Sequence, residues 1–208
     1  DVDVLDVLNG MQLDKRLSPI IKNKRLSPGL MNFIHPGVGF GGSCFPKDLK
    51  ALYSFSKEKK FKSRLLKSVI DINNKQFMEI ISLAKKKIKT FKNKKILVLG
   101  LSFKPQTSDV RESPSINIIK KIISLGAEVC AHDPKAIDEF KKVYTNKNLY
   151  FERNLDKAKN FSNIIFLITS WPEYKEFLKK NSKKNIILFD GRRYIKKNLI
   201  KNYNGIGL

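Results

Sequence analysis

Apolar residues recur along this chain at two different spacings, and the change from one spacing to the other divides the chain in two. Between residues 63 and 90 they fall every three or four positions, which predicts one long helix, and a shorter helix is predicted over residues 48–57. From residue 94 onward, short continuous apolar runs alternate with helical segments. These runs predict strands over residues 95–99, 128–132, 163–169 and 185–189, and the continuous apolar character of the last two is typical of strands buried on both faces.

This alternation predicts an α/β fold in which residues 93–208 form a Rossmann-like domain with a doubly wound parallel sheet. One of its helices begins at Ser113-Pro114 and ends before Gly126, and another covers residues 172–180. Residues 1–92 form a helical central segment ahead of this domain. Within it, residues 1–31 are predicted to be the tail of a helix followed by an irregular basic stretch, where Lys15-Arg-Leu-Ser-Pro19 recurs as Lys24-Arg-Leu-Ser-Pro28.

A glycine-rich loop precedes Cys44. Four glycines between Gly37 and Gly42 are too many for the interior of a helix or strand, and they would let backbone amides approach an anion closely. A helix is predicted directly after Pro46, so its N-terminus and Lys47 would both favour a thiolate at Cys44. A buried, inert cysteine is the alternative. The flanking glycines favour a thiolate that a substrate approaches, and the residues alone leave the two interpretations about even.

Composition and charge exclude several classes of protein. No apolar run approaches the roughly 20 residues that cross a bilayer, and the acidic first residues argue against a signal peptide. Two cysteines and two histidines give neither a disulfide framework nor a zinc site, so we expect no metal and a cytoplasmic location. The net charge of +23 invites a nucleic-acid partner, but the lysines are spread along the whole chain without a nucleic-acid-binding motif. We expect neither nucleic acid nor a membrane as a partner.

Several motifs resemble those of one enzyme family. Gly39-Phe-Gly-Gly-Ser-Cys-Phe-Pro-Lys-Asp48 is similar to the active-site signature of the UDP-glucose/GDP-mannose dehydrogenase family. Residues 100–115 resemble the opening of that family's C-terminal domain, and Phe189-Asp-Gly-Arg-Arg193 resembles its closing segment. His132-Asp-Pro134 and Thr169-Ser-Trp-Pro-Glu173 also fit. The resemblance covers essentially the whole chain in the family's order.

The resemblance implies an NAD-dependent, two-step oxidation of a nucleotide sugar. Cys44 would attack the sugar aldehyde and carry first a thiohemiacetal and then a thioester, while Asp48 would help to activate water. The implied substrate contacts are Arg16, His35, Pro36, Gly37, Val38, Gly39, Phe40, Gly41, Phe103, Lys104 and Arg192. The implied NAD contacts are Cys44, Phe45, Pro46, Lys47 and Arg111. The arginine that reaches the neighbouring subunit in this family is Arg16 or its rival Arg25, because the stretch before Cys44 is longer than the family pattern.

The family's dinucleotide fingerprint is missing from this sequence. No Gly-x-Gly-x-x-Gly motif follows a predicted strand, and Gly100 is followed by the bulky Phe103. The C-terminal domain is therefore not expected to be a conventional NAD site. We expect the end of the central helical region plus the UDP-sugar-binding domain, with NAD held mainly by an N-terminal domain outside this chain. The isolated chain is then expected to be inactive.

The motifs also bear on the substrate. Ser43 before the cysteine and Lys47-Asp48 after it differ from related enzymes of N-acetylated sugars. By resemblance, residues 171–173 and 190–193 are more similar to UDP-glucose enzymes than to GDP-mannose enzymes, which implies UDP-glucose as the substrate. The product would be UDP-glucuronate for polysaccharide synthesis. The resemblance further implies a homodimer that pairs through the long helix at residues 63–90. A GDP-mannose dehydrogenase fragment and a non-catalytic nucleotide-sugar-binding or dimerisation module are the alternatives.

Overall fold

The computed structural model describes residues 2–26, 29 and 34–208. Its first part contains three helices, α1 (Val4–Gln12), α2 (Phe45–Glu58) and α3 (Arg64–Ile88). The two helices predicted after Pro46 and after Ser63 are confirmed. The helix tail predicted at the start is instead a short helix with its own beginning, because the Asp3 side chain accepts a hydrogen bond from the Leu5 amide at 2.9 Å and caps α1.

The basic stretch that was predicted to be irregular contains an antiparallel hairpin of two strands, β1 (Ile20–Ile21) and β2 (Lys24–Arg25). Its two turn residues, Lys22 and Asn23, have φ angles of 49° and 59°. Positive φ at both positions is the type I′ geometry that suits a hairpin. The prediction was wrong here because strands of two residues show no alternation. The second copy of the repeated motif ends at Ser27 and Pro28, which lie outside the described residues.

The second part is a sheet of six parallel strands with helices on both faces. Its strands are β3 (Lys95–Leu99), β4 (Glu128–His132), β5 (Leu149–Phe151), β6 (Ile164–Leu167), β7 (Ile187–Asp190) and β8 (Asn202–Gly205), in the spatial order β5-β4-β3-β6-β7-β8. Its helices are α4 (Pro114–Ser124), α5 (Ile137–Val143), α6 (Leu155–Ala158) and α7 (Pro172–Lys180). The strand order reverses between β3 and β6, so the doubly wound prediction is confirmed.

Alternate residues of the central strands belong to two separate cores. Ile96 and Val98 pack in a core that α3 and α4 cover, whereas Leu97 and Leu99 pack in a core that α7 covers. This explains the continuous apolar runs. The end of α3 belongs to the first core, where Ile80 and its neighbours are fully buried. The central segment therefore holds its last helix against the sheet. Among the described helices, none is long and apolar enough to cross a membrane.

Candidate functional site

Cys44 lies at the N-terminus of α2 and is exposed to solvent. Its carbonyl oxygen accepts the Asp48 amide at 2.9 Å, so the thiol and the Asp48 carboxylate lie one helical turn apart, as the spacing predicted. Asp48 is also exposed, and its Oδ1 lies 3.2 Å from the Lys47 ammonium. Pro46 occupies the first turn of α2, where its missing N–H costs nothing. A thiol and a carboxylate therefore face solvent one helical turn apart.

Helix α3 fixes the glycine-rich loop from one side. The Asn73 side chain accepts the Phe40 amide at 2.8 Å and donates to the Phe40 carbonyl at 3.1 Å. One turn further along, Gln76 donates to the Gly37 carbonyl at 2.9 Å. Gly39 has a φ of 105°, and a Cβ there would lie 2.8 Å from Asn73 Oδ1. The sequence analysis did not predict that Asn73 and Gln76 hold this loop. The one available signal was their spacing, because two amide side chains three residues apart lie on the same face of a helix.

The second domain fixes the same loop from the other side. Gly42 donates its amide to the Arg111 carbonyl at 2.8 Å. A Cβ on Gly41 would lie only 2.3 Å from the Glu112 carbonyl oxygen, and a Cβ on Gly42 would lie 2.8 Å from the Phe103 ring. The loop before Cys44 is thus in direct contact with residues 103–112. Gly41 and Gly42 are therefore required here because atoms of Glu112 and Phe103 occupy the space that a Cβ would need.

This packing changes the prediction of an anion cradle. The amide of Val38 donates to the Gly191 carbonyl at 3.1 Å, that of Phe40 to Asn73 and that of Gly42 to Arg111. Three amides of the loop are therefore already bonded within the chain. The cradle remains a prediction only for the other amides between His35 and Gly41.

A cleft of about 500 Å³ opens where the carboxyl ends of β3, β6 and β7 meet. Ligands bind at this switch point in doubly wound folds. The cleft is lined by His35, Pro36, Phe103, Lys104, Pro105, Thr169, Ser170, Arg192, Arg193 and Tyr194. The structure therefore brings five predicted substrate residues together: His35, Pro36, Phe103, Lys104 and Arg192. Thr169, Ser170 and Tyr194 were not predicted as site residues. Thr169 and Ser170 do belong to the 169–173 motif that the sequence analysis singled out.

Arg192 ties the cleft to the cysteine loop. Its Nε donates to the Ile168 carbonyl at 2.7 Å and its Nη1 to the Gly39 carbonyl at 3.1 Å. Its amide donates to Asp190 Oδ1 at 2.9 Å. Burial lowers the pKa of Arg192 to about 10, so the guanidinium stays charged at neutral pH. Its Nη2 makes no hydrogen bond with the part of the chain that the structure describes, which leaves a cationic donor in the cleft wall.

The other predicted arginines lie outside this cleft. Arg111 is exposed and bonds Asp109 through Nη2 at 2.7 Å; this hydrogen bond raises the Arg111 pKa, with a small contribution from Cys44. Arg16 is exposed and bonds Asp14 at 2.6 Å. Arg25 instead donates to the Gln12 carbonyl at 2.9 Å, near the end of α1. Arg16 and Arg25 are both exposed and each has a partner within the chain, so exposure does not distinguish the two.

The loop after β3 does not fit a dinucleotide. The Asp133 carboxylate is buried, and its Oδ2 accepts the amides of Leu101 at 2.8 Å and Ser102 at 3.1 Å and the Trp171 indole at 3.1 Å. The amides that would bind a pyrophosphate at this position are therefore occupied. Gly100 (φ 101°) packs against Thr169 rather than leaving space. The residues present do not form an NAD site at the switch point. Within the described residues, no group of His, Cys, Asp and Glu could hold a metal ion.

The fold and the cleft define a Rossmann-like α/β module with an exposed cysteine on the loop that borders its cleft. The family model for the UDP binding domain of the UDP-glucose/GDP-mannose dehydrogenase family matches residues 97–197, and the model for the central domain of that family matches residues 1–75. The chain belongs to the UDP-glucose/GDP-mannose dehydrogenase family.

Individual relatives agree with this assignment. A putative UDP-glucose 6-dehydrogenase, YtcA of Bacillus subtilis, is 33% identical over 204 residues, which are 96% of this chain and 44% of the relative. The UDP-glucose 6-dehydrogenase of Rickettsia bellii is 37% identical over 178 residues, 83% of this chain and 37% of the relative. The structure of a UDP-glucose dehydrogenase from Pyrobaculum islandicum matches with a TM-score of 0.82 and 27% identity, covering 99% of this chain and 44% of that one. The chain spans less than half the length of these relatives.

Proposed function

We propose that this chain supplies the cysteine nucleophile and the nucleotide-sugar cleft of an NAD-dependent UDP-glucose 6-dehydrogenase, which converts UDP-glucose to UDP-glucuronate for polysaccharide synthesis. One observation carries the proposal. Exposed Cys44 lies on a loop that packs against Phe103 and accepts a hydrogen bond from Arg192, two residues that line the cleft. A substrate held in the cleft would therefore lie next to the loop that carries the thiol.

The cleft suits a nucleoside diphosphate because its cations and its aromatic ring lie together. Lys104 Nζ lies 5.4 Å from the centre of the Phe103 ring, and Arg192 contributes a second cation. The two cations would pair with the diphosphate, while the ring would contact the base. The curated relatives named above are UDP-glucose 6-dehydrogenases, which favours UDP-glucose over GDP-mannose.

At the reacting carbon, the Cys44 sulfur would form a bond to the aldehyde and later hold the acyl group as a thioester. Water would then attack the thioester carbonyl, with Asp48 accepting a proton from that water; the C–S bond would break, so that the sugar leaves as the acid and Cys44 leaves as the thiolate. NAD supplies the hydride acceptor for both oxidations. We propose that it is held mainly by a part of the relatives that this chain does not span, with contacts from Cys44 through Lys47 and from Arg111. Phe45, Lys47 and Arg111 are exposed there.

Titration calorimetry tests the cleft. UDP and UDP-glucose should bind the purified chain more tightly than GDP, and Arg192→Ala should weaken UDP binding. Arg153→Ala is the matched control, because Arg153 is exposed and pairs with Asp138 at 2.5 Å away from the cleft. A wild-type chain that does not bind UDP would refute the proposed cleft.

Complementation tests the chemistry. The chain alone should not reduce NAD with UDP-glucose, whereas a mixture with the N-terminal part of the Bacillus relative should, and Cys44→Ala should abolish that activity. NAD reduction by the chain alone would contradict the proposal that NAD is held mainly by a part of the relatives that this chain does not span. Binding of UDP without restored activity would support the non-catalytic binding module instead.

We also propose a central segment at residues 1–92, a UDP-sugar domain at residues 93–208 and a cytoplasmic homodimer that pairs through α3. The limits of the two family matches, 1–75 and 97–197, support the division. Leu65 and Ile72 on α3 are 77% and 62% exposed, which supports a partner on that helix. Sedimentation equilibrium should show a dimer that Ile72→Lys weakens, while a monomeric wild-type chain would contradict the pairing.

A further inference from the structure

Two consecutive arginines at the end of β7 extend in different directions. Arg192 reaches carbonyl oxygens at the cleft, as described above. Arg193 reaches α1 instead, where its Nη2 donates to both carboxylate oxygens of Asp3, at 2.5 and 2.6 Å. The Arg193 side chain is only 2% exposed, and the partners are separated by most of the chain. The ion pair is buried on the Arg193 side and partly buried at Asp3, and it joins residues near the two ends of the described structure.

The backbone at this turn is unusual. Arg193 has a φ of 51°, in the left-handed region that non-glycine residues seldom adopt. The turn is wrapped around Asp190, whose Oδ1 accepts the Arg192 amide at 2.9 Å and whose Oδ2 accepts the Ile195 amide at 2.8 Å. A sparsely populated backbone conformation persists only where its surroundings hold it. The ion pair with Asp3 is one such restraint, because it acts on the left-handed residue itself.

Asp3 is the counter-ion of the buried Arg193 guanidinium. Its Nε and Nη1 are buried and have no partner among the described residues. The Tyr203 ring lies 5.9 Å from the guanidinium carbon, and Gly205 leaves room for the side chain. Without the Asp3 carboxylate, a buried cation would be left uncompensated, and the turn would have to rearrange to release it.

The same turn makes the contacts that define the cleft. The Gly191 carbonyl accepts the Val38 amide at 3.1 Å, and Arg192 holds the Gly39 carbonyl. We propose that Arg193 is a positioning residue: its ion pair with Asp3 holds the 190–195 turn so that Arg192 points into the cleft and the cysteine loop stays docked on Gly191. The part that concerns ligand affinity rests on the proposed function of Arg192. By the same coupling, nucleotide binding at Arg192 would steady α1, the helix that precedes Arg16.

Amide hydrogen exchange tests the geometry without any ligand. Arg193→Gln keeps a polar side chain but removes the charge, and it should raise exchange at the Val38 and Arg192 amides while the amides of β3 stay protected. Arg193→Lys, which can still pair with Asp3, should restore much of the protection. Lys197→Gln is the matched control, because exposed Lys197 faces Asp3 at 3.8 Å without being buried, and it should change neither amide.

UDP titration then tests the route through Arg192. Arg193→Gln should weaken UDP binding by roughly tenfold, the scale of an effect passed on through a second residue. In an Arg192→Ala background, the same change should have almost no further effect. An equal loss in both backgrounds would overturn the proposal, as would unchanged exchange at Val38 or an equal rise at all amides, which would mark a general loss of stability. If the wild-type chain does not bind UDP, the proposed function fails, and the exchange experiment alone decides the role of Arg193.

Discussion

A single added methyl group at Gly41 should separate the cysteine loop from the second domain. The Cβ of Gly41→Ala would lie 2.3 Å from the Glu112 carbonyl oxygen, 2.8 Å from the Glu112 carbonyl carbon and 3.1 Å from Phe103 Cβ. The two closest atoms are backbone, so no flexible side chain can move aside to relieve the contact. Overpacking of this kind costs about 1–3 kcal/mol. With a urea dependence of about 2 kcal/mol per molar, the unfolding midpoint should fall by about 0.5–1.5 M.

Gly10→Ala is the matched control for the same chemical change. Gly10 lies inside α1, and a Cβ there would meet nothing within 4 Å. Alanine is the better helix former by about 0.5–1 kcal/mol, so this variant should raise the midpoint. Fluorescence of Trp171, the single tryptophan of the chain and 3% exposed, reports the transition at the switch point. If Gly41→Ala unfolds at the same urea concentration as the wild type, the close contact with Glu112 does not restrain the loop.

Buried polar groups and the two cysteines give three further predictions. Tyr174→Phe should lower the free energy of unfolding in urea by about 1–3 kcal/mol, because it leaves a buried carbonyl acceptor of His132 without its donor at 2.9 Å. Burial lowers the pKa of His132 below its ordinary 6.5. The stability that neutral His132 contributes is therefore complete above pH 6.5 and is lost as the pH falls below it, because the unfolded chain takes up the proton first. His132→Asn should reduce the change in unfolding free energy between about pH 7.5 and about pH 5.5. Burial raises the pKa of Cys130 to about 11, so iodoacetamide at mildly alkaline pH should label Cys44 in the native chain and Cys130 only after unfolding, as peptide mass spectrometry would show. If His132→Asn lost more unfolding free energy than the wild type as the pH falls, the prediction for His132 would be wrong. If iodoacetamide labelled Cys130 before Cys44 in the native chain, the prediction for the cysteines would be wrong.

The fold was predictable where the local pattern and the tertiary environment agree. Strands β3 and β4 have the predicted bounds because both faces of each are buried, which makes their apolar runs continuous. Strand β6 is shorter than its apolar run, since Ile168 and Thr169 already belong to the loop that contacts Gly100. Strands β5 and β8 lie at the two edges of the sheet and were missed. β8 reads Asn-Tyr-Asn-Gly, with no apolar alternation to mark it.

The site was predictable only as a set of positions. Residues on the cysteine loop and at the ends of β3 and β7 could be chosen from motifs, and the structure brings several of them to one cleft. Their restraints could not be predicted, because Asn73 is separated by 33 residues from Phe40, and Arg193 by 190 from Asp3. Nothing in a single sequence indicates such pairs. Each is an ordinary polar residue until the fold brings its partner close.

The glycine-rich loop shows why the distinction between composition and contact matters for binding. The glycines before Cys44 predicted free amides for an anion, yet the amides of Val38, Phe40 and Gly42 donate hydrogen bonds within the chain. In the loop after β3, the Asp133 carboxylate accepts the amides of Leu101 and Ser102. The diphosphate of the proposed substrate would then be neutralised mainly by side-chain cations, and Lys104 and Arg192 line the cleft. Side-chain cations need to be held in place, whereas backbone amides are fixed by the fold. The contacts of Arg192 with Ile168 and Gly39 provide that restraint on the cleft side, and the pair of buried Arg193 with Asp3 provides it behind the turn.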